Sequence, residues 1–305
     1  MRKARVTVPA VCTNLGPGIE SLGLALGLHV SAAFVERSDS TLLIETHGEG
    51  GADLPADCYH PVMYAAVRVF QQVEDSPLGL RLDVRNAIPL NIGLGAEEAM
   101  TVAGLIGANN LMGMPLTRDD LIALGVEILG RADGLVAAML GGLTIAARGD
   151  SGAVFRRVDV APLKVLVVAP QLEHYDPEDM SLPATIAYAD AVANIGRAEL
   201  MVEALRGGDF RLLSQVLADR VLDPYLGEYI PGYREAVEAA IKSGALGVTI
   251  SGNGPALLIF AAANHYRIAD AVQSIFDSRD ILSRVWTLLV DTQGVVVTAA
   301  EMHPE

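Results

Sequence analysis

Two adjacent carboxylates, Glu97 and Glu98, follow a glycine loop in the segment PLNIGLGAEEAMTVAG at residues 89–104. In such a loop, Gly93 and Gly95 let the backbone approach a ligand closely, and the N–H groups at the start of the following helix bind phosphate. Carboxylates at that point satisfy the positive end of the helix themselves. Two unit negative charges about 4 Å apart repel each other by roughly 4 kcal/mol at an effective dielectric constant of about 20. The pattern therefore predicts a phosphate loop in which side-chain carboxylates take the place of the phosphate.

The composition limits which partners the chain can bind. Its 305 residues are 51% hydrophobic and 19% charged, enough to bury a substantial core in one large domain or two medium ones. The formal net charge of −15 argues against nucleic acid and against anionic membrane surfaces, since both require basic patches. A small-molecule ligand, such as an amino acid or a carboxylate, and a homodimer remain open as partners.

Cysteine usage and hydropathy indicate a cytoplasmic protein. The first ten residues, MRKARVTVPA, lead into a strand pattern and not into a secretory segment. Cys12 and Cys58 are therefore expected to be reduced thiols. The chain has no run of about 18 apolar residues that could span a membrane. It also lacks the Cys and His spacings of a zinc site.

Strand and helix patterns are both plentiful. Residues 4–11 alternate and are rich in valine, and residues 97–112 have helical spacing with small residues that permit close packing. A second unit begins near Pro162 with the strand pattern LKVLVVAP. Apparent hairpins imply antiparallel pairing, so the fold class is α+β and not a doubly wound parallel sheet. We therefore divide the chain into an N-terminal domain, residues 1–161, and a C-terminal domain, residues 162–305.

Three glycine loops occur in a specific order: PAVCTNLGPGIESLGLAL at residues 9–26, PLNIGLGAEEAM at residues 89–100, and SGNGPA at residues 251–256. Together with the segment YADAVANIGRAELMVEAL, they resemble the motifs of the GHMP kinase superfamily, and within it those of the homoserine kinases. The resemblance implies a ribosomal-S5-like N-terminal domain and a ferredoxin-like C-terminal domain. It also implies ATP on the second loop and an amino-acid alcohol in the cleft between the domains.

One family motif, EGHPDN, aligns with LGRADG at residues 129–134 and keeps only its aspartate, Asp133. The family's metal-binding glutamate is replaced by Leu129, which cannot bind a hard cation because such cations require oxygen ligands. The family's histidine is replaced by Arg131. Its substrate-binding asparagine is replaced by Gly134.

Other positions of the resemblance are partly kept. The two serines of the second loop become Ala96 and Glu97. An asparagine near the adenine becomes Cys58, and an arginine expected to grip the substrate carboxylate becomes Leu226, which removes both charge and fork geometry. Asn14, Arg197 and the SGNGP loop match the family, and Glu20 replaces an aspartate that contacts the substrate amino group.

These positions give the candidate site residues. The candidate catalytic residues are Glu20, Glu97, Glu98 and Asp133, and the candidate substrate-binding residues are Asn14, Glu20, Arg131 and Arg197. The nucleotide loop consists of Gly93, Leu94, Gly95, Ala96 and Glu97. The C-terminal glycine loop consists of Ser251, Gly252, Asn253 and Gly254. No metal ligand is assigned, although Glu97 is a candidate.

Three functions remain open. The main hypothesis is a homoserine-kinase-like protein that has lost Mg-ATP-dependent phosphoryl transfer, a pseudokinase with a degenerate ATP site that binds a ligand or a partner. In that case Arg131 is expected to neutralise Glu97 or Glu98 and so fill the phosphate site. The alternative is an active kinase that phosphorylates the hydroxyl of L-homoserine or a similar amino-acid alcohol, with Glu97 replacing the lost metal ligands. The third is a repurposed enzyme that uses the clustered carboxylates. ATP and Mg²⁺ are expected only if kinase activity is retained.

Overall fold

The first sheet forms the N-terminal half of the protein. The computed structural model describes residues 1–149 and 152–301. Its first sheet has the strand order β11-β1-β2-β4-β3, with β5 pairing with both β2 and β6. All neighbours are antiparallel except β3 and β4, which are parallel. The strands are β1 Lys3–Cys12, β2 Leu22–Arg37, β3 Leu42–Gly48, β4 Gly79–Asn86, β5 Leu143–Gly149, β6 Gly152–Val158 and β11 Val296–Glu301.

Four helices belong to this half, and the central one is almost fully enclosed. Helix α2 contains many small residues, and a Cβ on its Gly107 would lie 2.1 Å from the ring of Phe34 on β2. This close approach of helix and sheet explains the run of alanines and glycines in α2, because larger side chains would separate the two layers. The helices are α1 Pro61–Val73, α2 Ala96–Leu111, α3 Arg118–Leu129 and α4 Asp133–Leu140.

The second sheet is antiparallel, in the order β10-β7-β9-β8. Its strands β8 and β9 are completely buried, and every residue in them is apolar except Thr249, whose hydroxyl accepts a hydrogen bond from the N–H of Gly16. The elements are β7 Lys164–Pro170, α5 Tyr188–Gly207, α6 Phe210–Val216, α7 Asp223–Leu226, α8 Tyr233–Lys242, β8 Gly247–Ile250, β9 Leu257–Phe260, α9 His265–Asp277 and β10 Ser283–Leu289.

The predicted α+β class is confirmed, with antiparallel pairing dominant in both sheets. The predicted division at residues 161 and 162 falls in the connection between β6 and β7. The chain then crosses back, because β11 pairs with β1 in the first sheet. Across residues 1–149 and 152–301, no helix combines the length and the apolar character that a membrane span requires.

Candidate active site

The nucleotide loop is held against the C-terminal glycine loop by contacts that require glycine. Gly93 has a φ of +82°, and a Cβ there would lie 1.9 Å from the carbonyl oxygen of Ser251. The hydroxyl of Ser251 donates a 2.7 Å hydrogen bond to the carbonyl of Gly93. Gly95 has a φ of +65° and its Cβ would lie 2.2 Å from a methyl group of Val11. Both positions need the left-handed backbone and the absence of a side chain. Because Gly93 contacts the C-terminal half and Gly95 contacts the N-terminal half, the loop joins the two halves of the protein.

A cavity of about 470 Å³ lies where these loops meet. Its walls come from both halves of the chain, and one side is formed by the start of α2. Gly95 caps this helix without a side chain, so the first turn of α2 has no side-chain cap from that residue. The wall includes Thr13, Leu54, Pro61, Gly93, Gly95, Glu97, Glu98, Arg131, Tyr175 and Asn253.

The two glutamates of the loop lie in different surroundings. Glu97 is exposed, whereas Glu98 is only partly exposed and points toward α4. Burial raises the pKa of Glu98, and the negative charges of Glu97 and Asp133 add to that effect, while Arg131 opposes it.

Arg131 pairs with Asp133 and not with the glutamates of the loop. Its Nε and Nη2 donate hydrogen bonds of 2.8 and 2.6 Å to the two carboxylate oxygens of Asp133, which is buried. Such a two-bond contact is the strongest form of this ion pair. The salt bridge expected from Arg131 to Glu97 or Glu98 is therefore absent among the described contacts, and Arg131 does not fill the phosphate site in the predicted manner.

The carboxamide of Asn14 joins the first motif to the C-terminal glycine loop and to Arg131. Its Nδ2 donates to the carbonyl of Gly252 at 3.2 Å and to Oδ1 of Asn253 at 3.1 Å. Its Oδ1 accepts from the backbone N–H of Glu20 at 3.0 Å and from Arg131 at 3.5 Å. A carboxamide has two donor hydrogens and two acceptor positions, so these four contacts use all of them. In this conformation Asn14 holds the loops together, and its predicted role in substrate binding stays a prediction.

The remaining predicted positions are spread more widely. Glu20 has a φ of +49° and is exposed, close enough to Arg131 for its charge to help raise the pKa of that guanidinium. Arg197 on α5 donates a 2.9 Å hydrogen bond to the carbonyl of Ala218 and does not line the cavity. Leu226 is buried in the C-terminal core, and Leu129 packs against the N-terminal core.

Tyr175 and Thr13 also line the cavity and were not among the predicted site residues. Tyr175 donates a 2.5 Å hydrogen bond to the carbonyl of Asn253, and burial raises the pKa of its hydroxyl. It lies in a segment without regular periodicity, so no pattern could point to it. Thr13 is buried and accepts, through its carbonyl, a hydrogen bond from the N–H of Gly252. Its position directly before Asn14 in the first motif was the available signal.

Comparisons with known proteins match this arrangement along nearly the whole chain. The model of the GHMP kinases N-terminal domain matches residues 61–142, and that of the GHMP kinases C-terminal region matches residues 201–278. The homoserine kinase of Moorella thermoacetica is 34% identical over 96% of this chain and 99% of its own length. That of Crocosphaera subtropica is 31% identical over 98% and 99%. A crystal structure of homoserine kinase from Cytophaga hutchinsonii superposes with a TM-score of 0.86 at 26% identity, covering 97% of both chains.

These findings correct the main functional prediction. The hypothesis of a pseudokinase with a degenerate ATP site is wrong, because relatives that match nearly end to end are homoserine kinases, and the alternative of an active kinase fits better. The relatives give no support to a repurposed enzyme either. The physical error lay in treating Glu97 and Glu98 as two equal charges in the place of the phosphate, whereas one is exposed and the other has a raised pKa. The two glycine loops, the two sheets and the two domain matches together lead to one conclusion: this chain belongs to the GHMP kinase family.

Proposed function

We propose that this protein transfers the terminal phosphoryl group of ATP to the hydroxyl of L-homoserine or a similar small amino-acid alcohol. The observation that carries the proposal is the cavity at the start of α2, bounded by all three glycine motifs and by Arg131. The near full-length similarity to homoserine kinases supports the choice of acceptor.

The nucleotide half of the cavity offers backbone groups and apolar surface. The N–H groups at the start of α2 and the helix dipole favour phosphate, and Gly93 and Gly95 allow its close approach. Leu54, Pro61 and Leu90 supply apolar contacts of the type that a nucleobase requires. Among the described residues of the wall, Arg131 is the only Lys or Arg, and Asp133 already neutralises it. We therefore expect ATP to bind only with a divalent cation.

The side chains at the loop are chemically suited to Mg²⁺. Thr13 and Glu97 present oxygen atoms along the cavity wall, and hard cations bind oxygen. Bound there with the nucleotide, Mg²⁺ would supply positive charge that offsets the charge of the phosphate groups. Within the described residues, the one group of three preformed His, Asp or Glu ligands, Glu45, His47 and Asp83, lies on β3 and β4 away from the loop. This fits a Mg²⁺ that enters with the nucleotide and keeps several waters.

Carboxyl groups outnumber cationic side chains around Arg131, at the edge of the cavity that we assign to the acceptor. Glu20, Glu98 and Asp133 all lie within the electrostatic reach of Arg131, the single positive side chain of the group. Such a surplus of carboxyl groups complements the ammonium group of an amino acid. In the reaction, the acceptor hydroxyl oxygen bonds to the terminal phosphorus, the bond from that phosphorus to the bridging oxygen breaks with its electron pair going to ADP, and the hydroxyl proton passes to solvent. The protein's part is to orient both substrates in line and to exclude water.

The test is ADP release from Mg-ATP by the purified protein, measured with and without L-homoserine, with the product identified by mass spectrometry. We expect ADP and O-phosphohomoserine only when both substrates and Mg²⁺ are present. The variant Gly93→Ala should lose activity because its Cβ would collide with the carbonyl of Ser251. Gly196→Ala is the matched control, since Gly196 on α5 has open space at its Cβ position. A protein that unfolds cooperatively but releases no ADP with any amino-acid alcohol at millimolar concentration would refute the proposal.

Two further expectations belong to this function. A cytoplasmic location suits Cys12, which is buried, and Cys58, which is exposed, both as free thiols. A homodimer stays a proposal and is decided by light scattering during gel filtration.

A further inference from the structure

Glu98 and Gly134 occupy a single space. A Cβ on Gly134, the second residue of α4, would lie 2.8 Å from Cγ of Glu98, 3.0 Å from Oε1 of Glu98 and 3.0 Å from a methyl group of Thr13. Unstrained carbon contacts are about 3.5–4.0 Å. A side chain at position 134 and the Glu98 side chain in its observed place therefore exclude each other.

Next to Gly134, the carboxyl group of Glu98 forms part of the cavity wall. It lines the cavity together with Thr13 and Arg131, where the end of β1 and the starts of α2 and α4 converge. Gly134 offers no side chain of its own, and the neighbouring carboxylate, Asp133, is already held by Arg131. Glu98 interacts electrostatically with both members of that pair. Glu98 thus lines the cavity and lies within the electrostatic influence of the ion pair.

We propose that Glu98 and Gly134 form one specificity-determining unit, in which the Glu98 carboxyl fills the space left by Gly134 and becomes the polar wall that contacts the acceptor alcohol. This inference rests on the proposed kinase function and assigns the acceptor side of the cavity to this pair. Glu97, one residue earlier, is exposed, and none of its atoms is among the three nearest to a Cβ at position 134, so we leave it out of the unit.

A purely structural role for Glu98 gives different expectations. A first-turn glutamate that only favours the positive end of α2 would be indifferent to the side chain at position 134. Its replacement would alter thermal stability slightly and leave the KM for the acceptor unchanged. The two roles are therefore separated by coupling between the positions and by the substrate whose KM responds.

The kinetic experiment compares four proteins: wild type, Glu98→Ala, Gly134→Asn and the double variant. Each single variant should raise the KM for L-homoserine about tenfold or more, which corresponds to about 1.4 kcal/mol, with the KM for Mg-ATP changed less than threefold. In the double variant, the asparagine amide enters the vacated space, and we expect the KM for L-homoserine to return to within about threefold of wild type. Additive losses in the double variant, or equal changes in both KM values, would overturn the proposal.

A second measurement tests the shared space without relying on catalysis. Gly134→Ala should lower the melting temperature by about 3 °C or more in the wild-type background, because it overpacks the site. The same substitution should have a clearly smaller effect in the Glu98→Ala background, where only the contact with the Thr13 methyl group remains, and its full effect in the Glu97→Ala background, which is the matched control for charge. If this coupling is found but no protein releases ADP, the kinase function fails while the shared space stands. If Gly134→Ala has the same effect in all three backgrounds, the shared space itself is refuted.

Discussion

The buried imidazole of His60 should make the stability of this protein fall in mild acid. His60 is fully buried directly before α1, its Nδ1 accepts a 3.2 Å hydrogen bond from the N–H of Val62, and its Nε2 lies 3.1 Å from the hydroxyl of Thr46. Burial lowers its pKa to about 4. Because Nδ1 is an acceptor, the neutral ring carries its proton on Nε2 and donates to Thr46. Protonating Nδ1 would remove the cap of α1, whose first residue, Pro61, is part of the cavity wall.

The sign and size of the effect follow from linkage. The unfolded chain takes up a proton at the ordinary histidine pKa of about 6.5, whereas folded His60 resists protonation until about pH 4. Between these values the unfolded state binds more protons, so stability is complete above pH 6.5 and is lost as the pH falls. A shift of this size corresponds to about 2 to 3 kcal/mol after allowance for local opening of the site.

The assay is urea unfolding at pH 7.0, 5.5 and 4.5 for wild type and His60→Asn. Asparagine is a preferred helix cap and does not titrate, so the variant should lose about 1 kcal/mol at pH 7 and then show a flatter pH dependence. Between pH 7.0 and pH 4.5, the free energy of unfolding should fall further in wild type than in His60→Asn, by most of the 2 to 3 kcal/mol expected from linkage. His174→Asn is the control, because His174 is exposed. An unchanged slope in His60→Asn, or an equal change in His174→Asn, would refute the reasoning.

Three further substitutions test the site and the core around it. Asp223→Asn should be more stable than wild type by about 1 kcal/mol or more at pH 7.5, because burial raises the pKa of Asp223. The folded wild-type protein is therefore destabilised as the pH rises above about 4, where the unfolded chain loses this proton more readily. Urea unfolding should show that the difference between the two proteins vanishes near pH 4. Asp133→Ala leaves the half-buried Arg131 without its partner and should lower stability by about 2 to 3 kcal/mol and abolish ADP release, whereas thermal unfolding that matches wild type would contradict the buried pair. Tyr175→Phe removes the hydrogen bond to Asn253 and should cost about 1 kcal/mol and weaken Mg-ATP binding in calorimetry; unaltered binding would show that Tyr175 does not order the loop.

Most of the fold could be predicted because its signals are local and repeated. The alternation in β1 and the helical spacing of α2 each follow from a period that the sequence carries directly. The role of the glycines in the second loop could also be predicted, because a glycine motif is a local signal. Gly93 and Gly95 do have the positive φ that the motif requires. What the local patterns could not show is the return of β11 to β1, because that pairing joins the two ends of the chain.

The prediction of lost activity failed at a different level, that of charge in three dimensions. Consecutive residues of a helix project about 100° apart, so Glu97 and Glu98 present their carboxyl groups in different directions although both line the cavity. One faces solvent, and the other turns toward Gly134, a position at which the sequence shows only the loss of a side chain. The missing side chain at position 134 and the additional carboxyl group at position 98 are then a single change, which keeps a polar group on the same wall. Substitutions at an active site therefore have to be judged together when the residues are neighbours in the structure. Two changes that each look damaging in the sequence can compensate each other when they occupy the same space.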